Sequence, residues 1–475
     1  MPTLAGTCLG LAFISPTLSW LLFVGLCLTI YCLRRVNHTR PLFLYCWIIF
    51  GIKSAIVLHW FWYVYPIPWL PTTLPTQLLL IGVLWTGTWV SIGFGAAIPF
   101  LAYIPLRTYF GEKVLYLFPF LLVLSEVCGS FLFSIYSLGP SSVPNINFGF
   151  GYLGYAVAAW PGMLTLAKLA GVYGLSFVVS GLGVVLFGCL RAKRWWYCII
   201  VFLLILLIGT QQDTTIHQTD VAIEGTTAVS LATRFSGEML NSSSGRMLQS
   251  DQLNRAVRIA LSYQPDYVIL PEDSRLTSHF TSAQAALEHL SQLSSSTILL
   301  DSARTSLETG QGSVLRSYTY NLSTNQLELY DKQYLVPQGE FVAYWVLLLL
   351  RNGRNEILTN TVETTQNYRP GPNQQEPDTL SILFCFESAS PLRLNADGHA
   401  FVAHIVSHAW FHSPSTLWYQ LQNMLRVQAA WSDIPIIVTS NQAPSYMVDA
   451  TGRLQQGQTL ERQAYWTLIQ YGLPE

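Results

Sequence analysis

The chain has 475 residues, of which 51% are hydrophobic and only 11% are charged. Soluble domains carry about 25% charged residues, so this composition excludes an ordinary soluble protein and indicates a membrane protein. Residues 1–213 carry ten Lys/Arg and three Asp/Glu, whereas residues 214–475 carry fifteen and twenty-three, and this acidic second part offers no basic surface for nucleic acid.

The first part contains a series of apolar runs. Several of them reach the ~20 residues that a helix needs to cross a bilayer. Pro16 separates the short first run from the second, so these two are either two short helices or one broken helix. We predict a transmembrane domain of about seven helices over residues 1–213. The runs lie at about 4–15, 17–33, 41–65, 75–105, 114–136, 164–190 and 195–210.

The loops between these runs alternate in charge. The loops RRVNHTR (34–40), LRTYFGEK (106–113) and RAKR (191–194) are basic, whereas the loops at 66–73 and 137–163 carry no charge. Basic loops stay on the cytoplasmic side of a membrane. The chain therefore leaves its last apolar run on the opposite side, and the acidic domain is expected to be extracytoplasmic, which means periplasmic in a bacterium with two membranes.

Three ionisable residues, Lys53, Glu126 and Lys168, fall within the apolar runs. Ionisable groups at such positions are costly and often functional. For Lys53 and Lys168 there is a plainer interpretation, in which each side chain extends from near the end of its helix to the membrane surface.

The acidic domain alternates strand-like and amphipathic helical segments. Amphipathic stretches lie at 249–263 and 415–431. This alternation predicts an α/β layered fold over residues 214–475, with chemistry at the loops that follow strand ends. The strand-like segments are 266–272, 296–303, 379–387, 400–407 and 434–441.

Three residues at or near strand ends form a candidate site. Glu272 follows a strand, Cys385 is the only cysteine after residue 198, and Lys332 is the only lysine after residue 193. A carboxylate can take the proton of a thiol during attack, and an ammonium can stabilise the oxyanion that forms. Each residue also has a plain explanation, as a small buried thiol, a capping glutamate or a surface lysine. Spacing alone does not decide between these interpretations.

Three motifs resemble a known family. LPEDSR (270–275), YDKQYLVPQGEF (330–341) and FCFES (384–388) occur in the order typical of the nitrilase superfamily, and they most resemble its membrane branch, the apolipoprotein N-acyltransferases. AWF (409–411) and the segment 441–454 resemble further blocks of that family, as do the membrane segments 10–23 and 169–179.

The resemblance implies roles for individual residues. Glu272 would be the general base, Lys332 the oxyanion-stabilising lysine and Cys385 the nucleophile. Glu340 and Glu387 match two supporting glutamates, and Phe386 stands where tyrosine is common. The implied fold is a multi-pass α-helical membrane domain followed by an αββα nitrilase-like sandwich.

The resemblance also implies a reaction and its partners. An acyl chain would pass from a membrane phospholipid to Cys385 and then to the amine of a diacylated lipoprotein, by ping-pong transfer in the bacterial inner membrane. No metal or dissociable cofactor is implied, and we expect a monomer. The family usually has a further transmembrane helix after this domain, which we do not expect here because the sequence after residue 464 reads YWTLIQYGLPE.

Three other features allow two interpretations each. His404, His408 and His412 would share a helix face and could bind zinc, but on a strand they lie too far apart for one ion. The run FVAYWVLLLL (341–350) is either a core helix or an arm at the membrane interface. The uncharged segment 141–162 forms either part of a lipid portal or a loop on the membrane surface.

Two rival functions share the same residues. A membrane-tethered amidase would use the triad to transfer acyl groups to water, but it would need neither seven spans nor an apolar arm. A catalytically silent lipoprotein-binding relative would not require a buried lysine beside a cysteine.

Overall fold

The computed structural model describes residues 1–140, 142–160, 162–192, 225–307, 312–353, 356–394 and 398–473, together with residues 196, 197, 200, 203, 207, 217 and 218. Most of the seventh apolar run (195–210) and half of the basic loop 191–194 lie outside these residues. The predicted domain boundary at 213/214 lies outside them too, so the domain limits stay a prediction.

The N-terminal part is helical, and its first six predicted apolar runs each fall on a helix. Two separate helices, α1 and α2, pack against each other across the bend that contains Pro16. The interpretation as one broken helix is therefore wrong, and of the two helices α2 lies in a stretch that is long and apolar enough to cross a membrane. The helices are α1 (Pro2–Leu11), α2 (Leu21–Arg35), α3 (Thr39–Val57), α4 (Leu74–Ala97), α5 (Tyr103–Phe110), α6 (Phe118–Tyr136), α7 (Leu153–Ala156) and α8 (Met163–Arg191).

Four helical stretches among the described residues are long and apolar enough to cross a membrane. They are Pro16–Arg35, Thr39–Val64, Leu74–Tyr136 and Met163–Arg191. The third stretch contains α4, α5 and α6. The bilayer core offers no water to bind backbone N–H and C=O groups. A helix satisfies these groups within its own segment, which is why apolar segments of this length are helical.

Small residues let these helices approach closely. A Cβ atom on Gly93 of α4 would lie 2.6 Å from the Cα of Gly51 on α3, a separation that no side chain tolerates. Helices in membranes associate through close van der Waals packing, which glycine permits.

The basic loops meet at one end of the helical bundle. Glu112 accepts a salt bridge from Arg34 at 2.8 Å and another from Arg191 at 2.7 Å. Arg107 Nη1 donates to the carbonyl of Arg34 at 3.2 Å. The ends of three loops that are distant in sequence are thus joined, as the alternation of charge predicts.

The C-terminal part contains strands and helices in alternation. The five predicted strands fall on β3, β4, β7, β8 and β9, and the two amphipathic stretches fall on α10 and α14. The strands are β1 (His217–Gln218), β2 (Thr227–Thr233), β3 (Tyr267–Ile269), β4 (Ile298–Ser306), β5 (Ser313–Asn321), β6 (Gln326–Asp331), β7 (Ser381–Phe384), β8 (Val402–Ser407), β9 (Ile436–Asn441), β10 (Tyr446–Val448), β11 (Leu454–Gln456), β12 (Gln458–Arg462) and β13 (Trp466–Gly472). The helices are α9 (Gly237–Asn241), α10 (Ser243–Ser262), α11 (Ala283–Ser291), α12 (Tyr344–Asn352), α13 (Glu356–Thr365) and α14 (Ser415–Ser432).

These strands form two halves of a mixed sheet. One half has the order β6-β5-β4-β3-β2-β13-β12, in which β2, β3 and β4 are parallel. The other half has the order β7-β8-β9-β10-β11-β1, in which β7, β8 and β9 are parallel. The halves are joined where Thr233 at the end of β2 pairs with Asn441 at the end of β9.

The two halves pack face to face with helices outside. Successive residues of a strand point to opposite faces. Val268 of β3 packs against α10 and α11, whereas its neighbour Ile269 shares a core with Phe384 of β7. Leu383 points the other way and packs with Leu425 of α14. The order helix, sheet, sheet, helix confirms the predicted αββα sandwich after a helical membrane domain.

Helix α14 has a second apolar face that docks on the membrane helices. Leu421 and Met424 join the apolar core of the helical bundle, and Gln420 Nε2 donates to the carbonyl of Val57 at 2.9 Å. Val57 ends α3, a helix of 19 residues that starts at Thr39 beside the basic loops. At 1.5 Å per residue α3 is about 28 Å long. The sandwich therefore sits at the opposite end of the bundle from the basic loops.

Helix α8 is interrupted at Gly171, and the side chain of Trp431 on α14 packs against this interruption. Gly171 has a positive φ of 57° in the interior of α8, a conformation that favours glycine. A Cβ atom there would lie 2.5 Å from the ring of Trp431. The break thus leaves room for a tryptophan of the sandwich against the membrane domain.

Candidate active site

The three candidate residues each follow a strand. Glu272 lies in the loop after β3, Lys332 comes directly after β6, and Cys385 begins a short 3-10 helix, Cys385–Ala389, directly after β7. Since β3 and β6 belong to one half of the sheet and β7 to the other, the site forms where the ends of both halves meet.

Lys332 is the centre of this site. Its side chain is fully buried, and its Nζ lies 2.9 Å from Glu272 Oε1 and 2.6 Å from Glu340 Oε1. Burial alone would lower the pKa of Lys332, but the charges of Glu272 and Glu340 outweigh this and raise its pKa well above the ordinary value. The lysine is therefore a fixed positive charge across the physiological pH range.

Glu272 has the properties of a base that works near neutral pH. Burial raises the pKa of Glu272 to about 7, although the positive charge of Lys332 acts in the opposite direction. Its second oxygen, Oε2, accepts a hydrogen bond from the backbone N–H of Ser407 at 3.1 Å. A base with a pKa near the working pH can both take up and release a proton readily.

Cys385 is a protonated thiol at rest. Burial raises its pKa well above the ordinary value for cysteine, and the negative charge of Glu272 adds to the effect. Lys332 and a backbone hydrogen bond from Ser407 act in the opposite direction. To act as a nucleophile, this thiol would need a base at the moment of attack, because the thiol rather than the thiolate is the resting form.

Two further glutamates fix the loops that carry these groups. Glu340 bridges Lys332 and the backbone N–H of Val336, which donates to its Oε2 at 2.7 Å. Glu387 is fully buried, and its Oε1 accepts from the N–H of Gln333 at 2.8 Å. Its Oε2 accepts from the N–H of Phe384 at 3.0 Å. Glu387 thus joins the residue after Lys332 to the residue before Cys385.

Phe386 points from the site toward the membrane helices. It is half-buried, and its ring centroid lies 6.1 Å from that of Phe148, which belongs to the loop between α6 and α7. The structure thus brings together Glu272, Lys332, Cys385, Glu340 and Glu387, with Phe386 at the edge that faces the bundle.

A cavity of about 250 Å³ lies at this edge, between the sandwich and the helical bundle. Phe386 and Gln333, the neighbours of Cys385 and Lys332, line it on one side, and Phe133 and Phe148 line it on the other. Among its described lining residues there is no charged side chain. An aromatic cavity with a few hydroxyl and amide groups is suited to an uncharged lipid segment.

Two of the three histidines, His404 and His408, are buried and neutral. Burial lowers the pKa of His404 to about 4 and that of His408 to about 3. His404 lies on β8, His408 follows this strand, and His412 is in the loop beyond, where its Nε2 lies 3.1 Å from the carbonyl oxygen of Pro66. Within the described part of the chain, no group of three His, Cys, Asp or Glu side chains could hold a metal ion.

The model of the apolipoprotein N-acyltransferase N-terminal domain matches residues 5–185. The apolipoprotein N-acyltransferase of Rickettsia prowazekii is 23% identical over 319 residues, which cover 64% of this chain and 61% of that protein. The protein of the same name from Rhizobium rhizogenes is 28% identical over 218 residues, or 42% and 39% of the two chains.

The chain is similar to the apolipoprotein N-acyltransferases over residues 5–185 and over the aligned parts of these two relatives. The resemblance stated from the motifs is thereby confirmed. The matches span about three fifths and two fifths of the length of these two relatives. The four membrane-capable stretches and the match of residues 5–185 to this family's N-terminal domain indicate a membrane protein.

Solved structures also resemble the sandwich. The carbon-nitrogen hydrolase superfamily protein XC1258 from Xanthomonas campestris is 13% identical, with a TM-score of 0.34, and the match covers 52% of this chain and 90% of that one. Nit3 from Saccharomyces cerevisiae, of the nitrilase superfamily, is 15% identical, with a TM-score of 0.36 and coverage of 53% and 92%.

Two contacts of the site are not evident from the motifs. The N–H of Ser407 binds Glu272, but any residue except proline supplies such a group, so the sequence carries no signal for it. Arg393 reaches Glu387 at 3.8 Å and Glu376 at 2.7 Å. Arg393 lies six residues after Glu387 in the sequence, which is a weak signal that the two side chains form an ion pair, since arginine is rarely buried without an acidic partner.

Proposed function

We propose that this chain is an N-acyltransferase that moves an acyl chain from a membrane phospholipid to the N-terminal amine of a diacylglyceryl-cysteine on a lipoprotein. The observation that carries the proposal is the position of Lys332 Nζ between Glu272 and Glu340, beside Cys385. The uncharged cavity beside these residues and the membrane helices behind it suit a lipid substrate.

The first half of the reaction loads the enzyme. Glu272 takes the proton from Cys385 Sγ as the sulfur attacks the ester carbonyl of the phospholipid. The carbonyl oxygen becomes negative, and the ammonium of Lys332 stabilises it. The tetrahedral intermediate then collapses, the ester C–O bond breaks, and Glu272 returns the proton to the lysophospholipid alkoxide that leaves. Cys385 now carries the acyl chain as a thioester.

The second half transfers the acyl chain. The free amine of the diacylglyceryl-cysteine attacks the thioester, and Glu272 takes a proton from this amine. Lys332 again stabilises the oxyanion. When the C–S bond breaks, the amide is released and the proton passes from Glu272 to the thiolate of Cys385. Atoms and protons balance without a metal or a redox partner.

The side of the membrane follows from charge. The basic loops that meet at Glu112 lie at one end of the bundle, and the sandwich contacts the other end. Because basic loops stay in the cytoplasm, we propose a bacterial inner-membrane protein with its catalytic domain in the periplasm. We also propose that the protein acts as a monomer.

The test is the intact mass of the purified full-length protein after incubation with phospholipid. The expected result is a mass increase of one fatty-acyl group, which persists in water and disappears when a diacylglyceryl-cysteine peptide is added. Loss of the adduct in water alone would instead support a hydrolase. Failure to form an adduct would contradict the proposal and favour a silent binding protein.

Helix α12 (Tyr344–Asn352) bears on how lipid reaches the site. The interpretation of the run 341–350 as a core helix is wrong for its helical part, because no residue of α12 is buried, whereas Phe341, Val342 and Ala343 before the helix are buried. Leu348 and Leu349 are 59% and 58% exposed. On the membrane side, Trp345 Nε1 donates to the carbonyl of Tyr136 at 3.0 Å. We propose that the exposed leucines lie in the membrane interface.

Replacing Leu348 and Leu349 with serine is therefore expected to lower turnover of phospholipid in vesicles by about tenfold, because each leucine loses apolar burial in the interface. Turnover of a soluble short-chain phospholipid should not change. The matched control is Met247→Ser, which removes an exposed apolar side chain (75% exposed) from α10 on the outer layer of the sandwich. Equal vesicle turnover in both variants would contradict the interfacial position.

A further inference from the structure

Two buried ionisable residues of the membrane helices have no part in the chemistry described above. Lys53 on α3 is 7% exposed and Glu126 on α6 is 5% exposed. Both bind the backbone of one segment: Lys53 Nζ donates to the carbonyl of Gly151 at 2.7 Å, and Glu126 Oε1 accepts from the N–H of Leu153 at 2.6 Å. Glu126 also has a hydrogen bond with the side chain of Ser176 on α8. Lys53 therefore does not extend to the membrane surface, as one interpretation of the sequence had it.

Two ionisable side chains bind the backbone of the loop at Gly151 and Leu153. A hydrogen bond in which one partner is ionised is roughly twice as strong as a neutral one. Placing a lysine and a glutamate among apolar helices is costly unless each has partners. The loop supplies a carbonyl to Lys53 and an N–H to Glu126, so each side chain has a hydrogen bond to this loop, and only Tyr152 lies between the two backbone partners.

The other end of the same loop contacts the nucleophile segment. The N–H of Gly149 donates to the carbonyl of Ala389 at 2.8 Å. Ser390 Oγ donates to Asn147 Oδ1 at 2.8 Å. Phe148 packs on Phe386, the residue next to Cys385. Three successive residues of the loop therefore contact the 3-10 helix that begins at Cys385, or the residue after it.

Glycine makes this close approach possible. A Cβ atom on Gly149 would lie 2.7 Å from the carbonyl oxygen of Ala389. Gly151, which accepts from Lys53, has a φ of 82° that favours glycine. The interpretation of this segment as a loop on the membrane surface is wrong for residues 148–160, all of which are buried.

We propose that Lys53 and Glu126 are positioning residues for Cys385. They fix the position of the loop 147–153, and this loop contacts the 3-10 helix Cys385–Ala389 from the membrane side. Glu387 fixes the same 3-10 helix from the side of the sandwich. The inference rests on the proposed role of Cys385 as the nucleophile. It makes the membrane bundle a part of the catalytic framework in addition to an anchor.

The test uses the full-length protein and the rate at which the acyl adduct forms in a single turnover. Lys53→Met and Glu126→Leu are expected to slow this step by about 10- to 100-fold, since a small misplacement of a reacting group costs up to about 100-fold. Glu126→Gln keeps an oxygen that can accept from Leu153 and is expected to retain more of the rate than Glu126→Leu. The matched control is Lys168→Met, which removes a lysine that pairs with exposed Asp433 instead.

A second readout separates positioning from general damage. Hydrogen exchange of the peptides that cover 147–153 and 385–390 is expected to become faster in Lys53→Met and Glu126→Leu, while exchange in β3 and β4 stays unchanged. If both variants formed the acyl adduct at the wild-type rate and showed wild-type hydrogen exchange in these peptides, the inference would be overturned. Failure of the wild-type protein itself to form an adduct would instead contradict the proposed function.

A third variant tests the proposal if neither Lys53→Met nor Glu126→Leu folds, because it does not change a buried ionisable residue. Asn147→Ala removes only the acceptor for Ser390 Oγ. It is expected to slow adduct formation by several-fold, on the order of the loss of one hydrogen bond, and to speed exchange in 385–390. An unchanged rate together with unchanged exchange would overturn the proposal through this variant alone.

Discussion

Replacing Cys385 with serine is expected to abolish the acyl adduct and to lower transfer to a diacylglyceryl-cysteine peptide by at least about 10⁴-fold, as expected when a catalytic nucleophile is lost. The replacement keeps the size of the side chain but exchanges the sulfur for an oxygen that ionises far less readily. A base with a pKa of about 7, such as Glu272, is matched to a thiol more closely than to an alcohol. The measurements are intact mass and the rate of peptide acylation.

The matched control for this prediction is Cys189→Ser. Cys189 lies on α8 and is partly buried, as Cys385 is, but it lies far from the site in the membrane bundle. This variant should form the adduct at the wild-type rate. If Cys385→Ser still acquired an acyl group, the nucleophile would be another residue. If Cys189→Ser lost the adduct, the effect of serine would be general damage to the protein.

The strand ends explain why the centre of the site could be predicted. Glu272 and Cys385 lie beside strands that are buried on both faces, and such strands are visible in the sequence as short continuous apolar runs. The rarity of lysine and cysteine in the second part of the chain singled out Lys332 and Cys385. Ends of strands gather at a sheet edge, so these residues were expected to lie together.

The backbone hydrogen bonds that fix the side chains of the site could not be predicted in the same way. Glu387 binds the backbone N–H groups of Gln333 and Phe384, and Ser407 offers its own N–H to Glu272. Backbone groups are the same in every residue except proline, so no pattern marks them. Only the folded chain shows which loop closes on which side chain.

The contacts between the two parts of the chain are likewise hidden in the sequence. Lys53 is recognisable as an unusual residue in an apolar run, but its partner Gly151 lies almost a hundred positions away. The loop around Gly149 reads as uncharged and glycine-rich, which is compatible with an exposed loop or a buried one. Its burial depends on α14, whose second apolar face covers the bundle.

Replacing Glu272 with glutamine is expected to slow adduct formation by about 10² to 10⁴-fold, the usual loss when a general base is removed. Glutamine keeps an oxygen that can accept the hydrogen bond from the N–H of Ser407. It cannot take the proton of Cys385, whose raised pKa keeps the thiol protonated. The matched control is Glu288→Gln on the exposed face of α11, which should keep the wild-type rate.

The dependence on pH distinguishes the loss of a base from a loss of structure. The active form of Glu272 is the carboxylate, and burial raises its pKa to about 7. The wild-type rate should therefore rise with pH, by about tenfold per unit below pH 7, and level off above it. Because the thiol of Cys385 stays protonated over this range, the rise belongs to Glu272, and it should be absent in Glu272→Gln.

A rise near pH 7 that persists in this variant would assign the titration to another group and remove Glu272 as the base. A flat wild-type profile from pH 5 to pH 9 would mean that the carboxylate is ionised throughout, so that the charge of Lys332 outweighs burial at this site.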